Sequence, residues 1–131
     1  MDGPEVIERF VRAASGGDED AAAACVTEEA VLVVPGGRTL PAGPEGARAF
    51  AAQHAVSDGR KPSVELRDVA QRDGGHWLAS LHLASTEVAT GDTLYEFDVG
   101  GVFRVEGDLI ARVEAFASPQ EAEAALDPQS R

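Results

Sequence analysis

The polar groups that could carry out acid/base chemistry are few, and two of them lie close to one predicted turn. Glu87 and Tyr95 flank Thr90-Gly91-Asp92, and pairing across that turn would set them roughly opposite each other. In an apolar pocket, a carboxylate with a raised pKa can act as a general base, and a phenol can donate a hydrogen bond to a ligand carbonyl. The alternative is a solvated carboxylate at a strand end and a core aromatic ring with its hydroxyl at the rim.

Two further candidates lie on predicted inward faces. His54 falls on the apolar stripe of a predicted helix and titrates near neutral pH, although histidines on helix faces are more often packed or half exposed. Asp68 interrupts an inward set formed by Val64, Leu66 and Ala70. It is therefore either a second pocket carboxylate or a side chain that a β-bulge turns outward.

The sequence contains no spacing that is typical of a metal or nucleotide site. CxxC, HxH and HExxH are absent, and His76 and His82 lie too far apart on one predicted strand to coordinate a metal without a third ligand. The glycine pairs precede no helix in a nucleotide-binding pattern. Cys25 has no activating partner and is more typical of a small buried hydrophobe. We expect neither a metal nor a cofactor.

Length, charge and cysteine content narrow the class of protein. The 131 residues fit a single domain, 1–131, that can bury a core without disulfides. A net charge of −12 repels nucleic-acid phosphates and anionic membrane surfaces. With one cysteine, no signal-peptide pattern and no apolar run that could span a bilayer, we expect a cytoplasmic protein that binds neither nucleic acid nor membranes. The composition is typical of high-GC bacterial genomes.

Helices near the start and a long meander must position these groups. Apolar periodicity predicts a first helix from Pro4 to Gly16, a short second helix that Asp18 caps, and a third helix over 44–56. A valine-rich strand over 30–34 and a Pro/Gly loop over 35–44 precede the third helix. Three glycine-containing turns then separate runs at about 63–72, 76–89, 93–106 and 109–117, and a polar tail with a weak helix over 119–126 follows.

Alternation assigns the two faces of the meander strands. The inward face is predicted to carry Trp77, Ala79, Leu81 and Leu83, then Tyr95, Phe97, Val99, Gly101, Phe103 and Val105, then Leu109, Ala111, Val113, Ala115 and Ala117. The opposite face carries His82, Glu96, Asp98, Arg104, Arg112 and Glu114. This polar face is available to solvent or to a second subunit.

The order of elements resembles the nuclear transport factor two-like superfamily, which includes ketosteroid isomerases, SnoaL-type polyketide cyclases, limonene-type epoxide hydrolases and scytalone dehydratase. The resemblance covers about residues 4–120 and rests on VIERFVRAASGGD, EEAVLVVPGG, GPEGARAF and GGVFRVEGDLIARVEAF. It implies an α+β fold in which a curved antiparallel sheet wraps around the N-terminal helices as a cystatin-like cone. It also implies a homodimer that forms through the outer face of the sheet.

Most catalytic positions of these relatives carry no ionisable group here. The resemblance places the two aspartates and the first-helix tyrosine of the isomerases at Val34, Gly101 and Phe10. It places the arginine and the two aspartates of the epoxide hydrolases at Ser85, Glu87 and Ala117. Isomerisation by the usual mechanism is therefore not expected, and Glu87 is the one matched carboxylate.

Together these observations predict a domain that binds a small, largely apolar organic molecule in a cone-shaped pocket. Cofactor-free acid/base catalysis would use Glu87 as the base, with Tyr95 and His54 orienting the ligand or donating to it. The expected ligand contacts are Phe10, Val34, Phe50, Asp68, Trp77, Phe97, Gly101 and Ala117. The alternative is a non-catalytic ligand-binding or dimeric assembly module of the same fold. A closed cavity favours an enzyme or carrier, and a filled interior favours a structural role.

Overall fold

A computed structural model describes residues 3–72 and 75–126. The helices are α1 (Gly3–Ser15), α2 (Glu19–Ala23), α3 (Pro44–Ala52) and α4 (Pro119–Leu126). The strands are β1 (Val26–Val34), β2 (Arg38–Thr39), β3 (Arg60–Arg72), β4 (His76–Glu87), β5 (Thr93–Glu106) and β6 (Leu109–Phe116). They form one curved, unclosed sheet in the order β2-β1-β6-β5-β4-β3, in which β1 and β6 run parallel and the other neighbours antiparallel. The α+β fold class predicted from the sequence is confirmed.

The N-terminal helices begin and end where local chemistry requires. The apolar stripe of α1 is buried against the sheet, and the helix ends before Gly17, whose φ of 70° suits glycine. The Asp18 carboxylate then accepts a hydrogen bond from the Ala21 N–H at 3.1 Å, which is the predicted cap of α2. The third helix is shorter than predicted, because His54 N–H bonds back to the Ala51 carbonyl at 3.0 Å and the last turn tightens.

The meander strands match their predicted ranges closely, whereas β2 was not predicted. β2 lies inside the segment expected to be a loop, and its two residues pair with Val33 and Val34. Positive φ angles at Gly36 and Gly37 allow the tight turn that joins β1 to β2. Among the described residues, no helix is both long and apolar enough to cross a membrane.

Two of the β-bulges in the sheet explain differences between the predicted and the observed strand faces. A register shift after Arg104 places Ile110 opposite Val105, so Ile110 is fully buried while Leu109 is 36% exposed. The sequence alternation had assigned Leu109 to the core. A second shift, between Leu66 and Asp68, leaves the Asp68 side chain exposed on β3. Asp68 therefore lies on the outward side of the strand, as the second alternative predicted, where it borders an open recess between α1 and β3.

The two faces of the sheet are covered to different extents. α1 and α3 pack on the concave inner face, and their contact with it forms the core. α4 packs on the outer face, where a Cβ added to Gly100 would lie 2.5 Å from the Ala122 Cβ. From the sequence, the outer face is expected to be available to solvent or to a second subunit. In the structure, α4 of the same chain covers part of it.

Candidate functional site

An apolar cavity of about 40 Å³ lies between α1, α3 and the inner face of the sheet. It is lined by Phe10, Val11, Leu32, Val33, Val34, Phe50, Val64, Leu81, Gly101, Phe103, Val113 and Ala115. Among these described residues, no side chain is ionisable or able to hydrogen-bond. The cavity can therefore hold apolar groups, and its wall supplies no acid or base.

Two stacked rings and two small residues define this space. The rings of Phe10 and Phe50 are 5.7 Å apart between centroids and 8° from parallel, and they close the helical side. Gly101 and Ala115 are direct partners on β5 and β6 and form the sheet side. A Cβ on Gly101 would lie 3.0 Å from the Phe103 ring, so the missing side chain keeps this space open.

Half of the predicted ligand contacts line the cavity. Phe10, Val34, Phe50 and Gly101 do so, and three of them are the positions matched to isomerase catalytic groups. The remaining predicted contacts, which are Asp68, Trp77, Phe97 and Ala117, do not belong to its lining. Each of these four residues lies outside the cavity for a different structural reason.

The bulge turns Asp68 outward, and Ala117 follows the last residue of β6 and is exposed. Trp77 lies at the opposite end of the sheet face, where its ring contacts the first residue of α1: a Cβ on Gly3 would lie 2.6 Å from it. Phe97 keeps the predicted strand face but is 48% exposed, so it does not contribute to the filled core.

The predicted pairing of Glu87 with Tyr95 is wrong. A register shift between Ser85 and Thr86 sets Ser85 opposite Tyr95, while Glu87 lies opposite Arg60 on β3. Tyr95 is 53% exposed and its ring lies 6.1 Å from the ring of Phe97. The carboxylate and the phenol are therefore not brought together, and neither residue belongs to the cavity lining.

His54 is the predicted catalytic residue nearest to the cavity. It is 7% exposed, and its ring meets the Phe50 ring edge-on at 5.1 Å. Its Nδ1 lies 3.0 Å from the Phe50 carbonyl, which can only accept a hydrogen bond, so Nδ1 carries the proton. Burial, with a smaller contribution from the Lys61 charge, lowers the pKa of His54. The imidazole is consequently neutral at pH 7, with Nε2 as its basic nitrogen.

Lys61 was missed by the sequence analysis, yet it connects three elements beside His54. Its ammonium donates to the carbonyls of Ser15 at 2.5 Å, His54 at 2.6 Å and Pro62 at 2.6 Å. It thereby joins the ends of α1 and α3 to β3, and burial lowers its pKa. One feature of the sequence could have pointed to Lys61: it is the only lysine, and all the other strongly basic residues are arginines. An ammonium can point three donors at three carbonyls, which a planar guanidinium cannot do.

Metal ligands do not cluster in the described part of the chain. Within residues 3–72 and 75–126, no group of three or more His, Cys, Asp or Glu side chains could hold a metal ion.

The curved, unclosed six-stranded sheet and the helices on its inner face define the class of α+β domain to which this chain belongs. The chain belongs to the SnoaL-like domain family, whose model matches residues 7–113. The resemblance recognised in the sequence is therefore confirmed. None of the curated proteins is significantly similar in sequence.

Solved structures of the same fold come from several bacteria. A cystatin-fold protein of uncharacterised function from Novosphingobium aromaticivorans has 26% identity and a TM-score of 0.66, covering 88% of this chain and 97% of its own. A protein from Xanthomonas campestris, proposed to be a polyketide cyclase, has 22% identity and a TM-score of 0.66, with 95% and 96% covered. An LEH-like epoxide hydrolase from M. tuberculosis has 18% identity and a TM-score of 0.66, with 93% of this chain and 86% of its own covered. These similarities show the fold alone. The activity of this chain has to be argued from its own residues.

Proposed function

We propose that this protein binds a small apolar organic molecule in the cavity between Phe10, Phe50 and the Gly101–Ala115 pair. The observation that carries the proposal is the wholly apolar lining of the space between the helices and the sheet. Small-molecule sites are concave and mostly apolar, and the family fold supports this use. Because the wall offers no acid or base, the proposed role is binding without catalysis by wall residues.

The volume limits what the cavity holds without rearrangement. About 40 Å³ is enough for a few methyl-sized groups, whereas benzene occupies an engineered apolar cavity of about 150 Å³. A ring-sized ligand therefore requires the helical side to move. Phe50 is the residue to move, because α3 has only nine residues and Phe50 is only partly buried.

Xenon and benzene test this proposal by nuclear magnetic resonance titration. Both should shift the backbone amides around Gly101 and Ala115, and benzoate should not, because its charge cannot be solvated there. Ala115→Val fills the cavity and should abolish the shifts. Ala84→Val on β4 adds the same atoms outside the cavity lining and should leave them intact. Equal binding by the two variants, or no response of the cavity amides in the unmodified protein, would overturn the proposal.

A second candidate function is acid/base catalysis, favoured by the placement of His54. Its neutral imidazole packs on a ring of the cavity wall. Glu87 or Tyr95 could join only if the ligand extended beyond Leu81 to the Ser85–Tyr95 pair, which at four residues along a strand is about 13 Å.

Cyclohexanol tests whether Nε2 of His54 can act on a ligand, since the hydroxyl of cyclohexanol can donate a hydrogen bond to that nitrogen. His54→Leu should weaken cyclohexanol binding while leaving benzene binding unchanged. If both ligands respond equally to the substitution, His54 acts only in packing.

Homodimerisation and a reducing cytoplasmic location also remain proposals. The uncovered charged part of the outer sheet face supports the first. For the second, the support is that Cys25 is the only cysteine of the sequence, so no intrachain disulfide can form.

A further inference from the structure

The outer face of the sheet carries a recess that is separate from the central cavity. It has a volume of about 190 Å³ and lies between the last turn of α4 and the strands β4, β5 and β6. Unlike the central cavity, it contains charged side chains. Its polar wall consists of His76, Arg104, Arg112 and Glu114.

The basic residues of this recess stand in one line across the sheet. His76 is the direct partner of Arg104, and Arg104 is the direct partner of Arg112. Direct partners on antiparallel strands have Cβ atoms about 4.5–5.5 Å apart, and like charges at that distance repel each other. Two guanidiniums, which are always charged, are thus held side by side in a protein whose net charge is −12.

The two carboxylates that pair with these arginines hold them only loosely. Arg104 lies 3.6 Å from Glu106, and Arg112 lies 3.4 Å from Glu114. The two guanidinium side chains remain 46% and 42% exposed. Exposed ion pairs of this length contribute little free energy. Each guanidinium has five N–H donors, so an external anion placed between Arg104 and Arg112 could accept from both.

The other wall of the recess is apolar. Val102 and Phe116 contribute it from the sheet, and Ala125 and Leu126 from α4. This wall lies directly beside the arginine pair. A ligand that fits both walls has an anionic head and a short apolar tail, and the volume limits it to the size of a fragment, below the roughly 300–1,000 Å³ of sites for larger ligands.

We infer that this recess binds a small organic carboxylate with a short apolar tail. The carboxylate lies between Arg104 and Arg112, and the tail contacts Phe116 and Leu126. Glu114 lies on the same wall and repels the ligand carboxylate. It therefore lowers the affinity for the ligand, whereas the two arginines raise it.

Hexanoate is the probe, with affinity measured by titration calorimetry and location by amide shifts around Val102 and Glu114. Hexanol lacks the charge and acetate lacks the tail, so each should bind at least about tenfold more weakly. Inorganic phosphate tests whether any anion is sufficient. Equal affinity for phosphate or acetate would overturn the requirement for a tail, and equal affinity for hexanol would overturn the requirement for a charge.

Single substitutions test the geometry on the full chain. Arg104→Gln and Arg112→Gln should each weaken hexanoate binding about tenfold, and Glu114→Gln should strengthen it. Arg38→Gln, at an exposed arginine on β2, removes the same charge elsewhere and should have little effect. All four positions are partly or fully exposed, so the variants should fold, which thermal unfolding checks. Equal losses in Arg38→Gln and Arg112→Gln, or a loss in Glu114→Gln, would refute the site.

Discussion

The rings of Phe10 and Phe50 lie parallel with centroids 5.7 Å apart, across the contact between α1 and α3. Phe10 is almost completely buried, while Phe50 is only partly buried and also packs against His54. One ring is therefore fixed in the core, and the other sits on a short helix that has fewer constraints. Both rings line the central cavity, and the Phe50 ring also forms part of the surroundings of His54.

Truncation of the fixed ring should destabilise the fold and enlarge the cavity. Phe10→Ala is expected to lower the free energy of unfolding by about 3–5 kcal/mol, which urea denaturation measures. Benzene should then raise the melting temperature of the variant more than that of the unmodified protein, because the new space accepts a ring.

Phe97→Ala is the matched control for this truncation, since it removes the same atoms at a half-exposed position. We expect a much smaller loss of stability and no added response to benzene. If Phe10→Ala does not fold, Phe10→Leu gives the same comparison with a smaller loss of stability. A similar benzene response in the Phe10 and Phe97 variants would contradict the assignment of the cavity.

The three hydrogen bonds of Lys61 should make it a major contributor to stability. Lys61→Met keeps the aliphatic stem but leaves the carbonyls of Ser15, His54 and Pro62 without their donor. We expect a loss of about 2–3 kcal/mol in chemical denaturation. Lys61→Arg should restore little, because a planar guanidinium cannot reach the three oxygens together. Arg60→Met, at the exposed neighbouring residue, should change stability by less than about 0.5 kcal/mol, and an equal loss there would contradict this role.

Local signals in the sequence were sufficient for most of the elements. Turn glycines and period-two alternation predicted the run 93–106 with the bounds that β5 has, and the predicted helix 119–126 has those of α4. Both depend on residues that are adjacent in the chain. Phe10, Val34 and Gly101 were likewise placed at the cavity because their positions follow from the order of elements.

The predictions of strand faces and side-chain contacts were wrong where they depend on the neighbouring strand or helix. One extra residue in a strand reverses the faces beyond it, and nothing in the alternation around Ser85 or Leu109 marks that residue. Tyr95 and Phe97 keep the predicted face. Their exposure arises because β6 pairs with β5 only from Gly100 onward. The reach of Lys61 to two helix ends requires the tertiary arrangement, so a single sequence could not show it.

A homodimer through the outer sheet face should be detectable as a doubled mass in sedimentation at micromolar concentration. Because α4 covers the surface over Gly100, the second copy would pack beside α4, where His82 lies between Glu96 and Asp98. His82→Glu adds a third carboxylate there and should shift the equilibrium towards monomer. Arg38→Glu on the distant strand β2 is the control. A monomeric mass for the unmodified protein would contradict the prediction.

Stability should decrease in mild acid because His54 is buried as a neutral ring. Its pKa is lowered in the folded state, mainly by burial, so below about pH 6.5 the unfolded chain gains a proton that the folded chain resists. The contribution of His54 to stability is complete above that pH and is lost as the pH falls, by at most about 1.4 kcal/mol per pH unit.

His82 acts in the opposite direction, because hydrogen bonds to Asp98 and Glu96 raise its pKa. Its contribution to stability is lost as the pH rises through that raised value. Urea denaturation between pH 7.5 and 5.5 should therefore show a shallower decline in His54→Gln than in the unmodified protein, and a steeper one in His82→Gln. Parallel curves for the unmodified protein and His54→Gln would refute the neutral, buried state of His54.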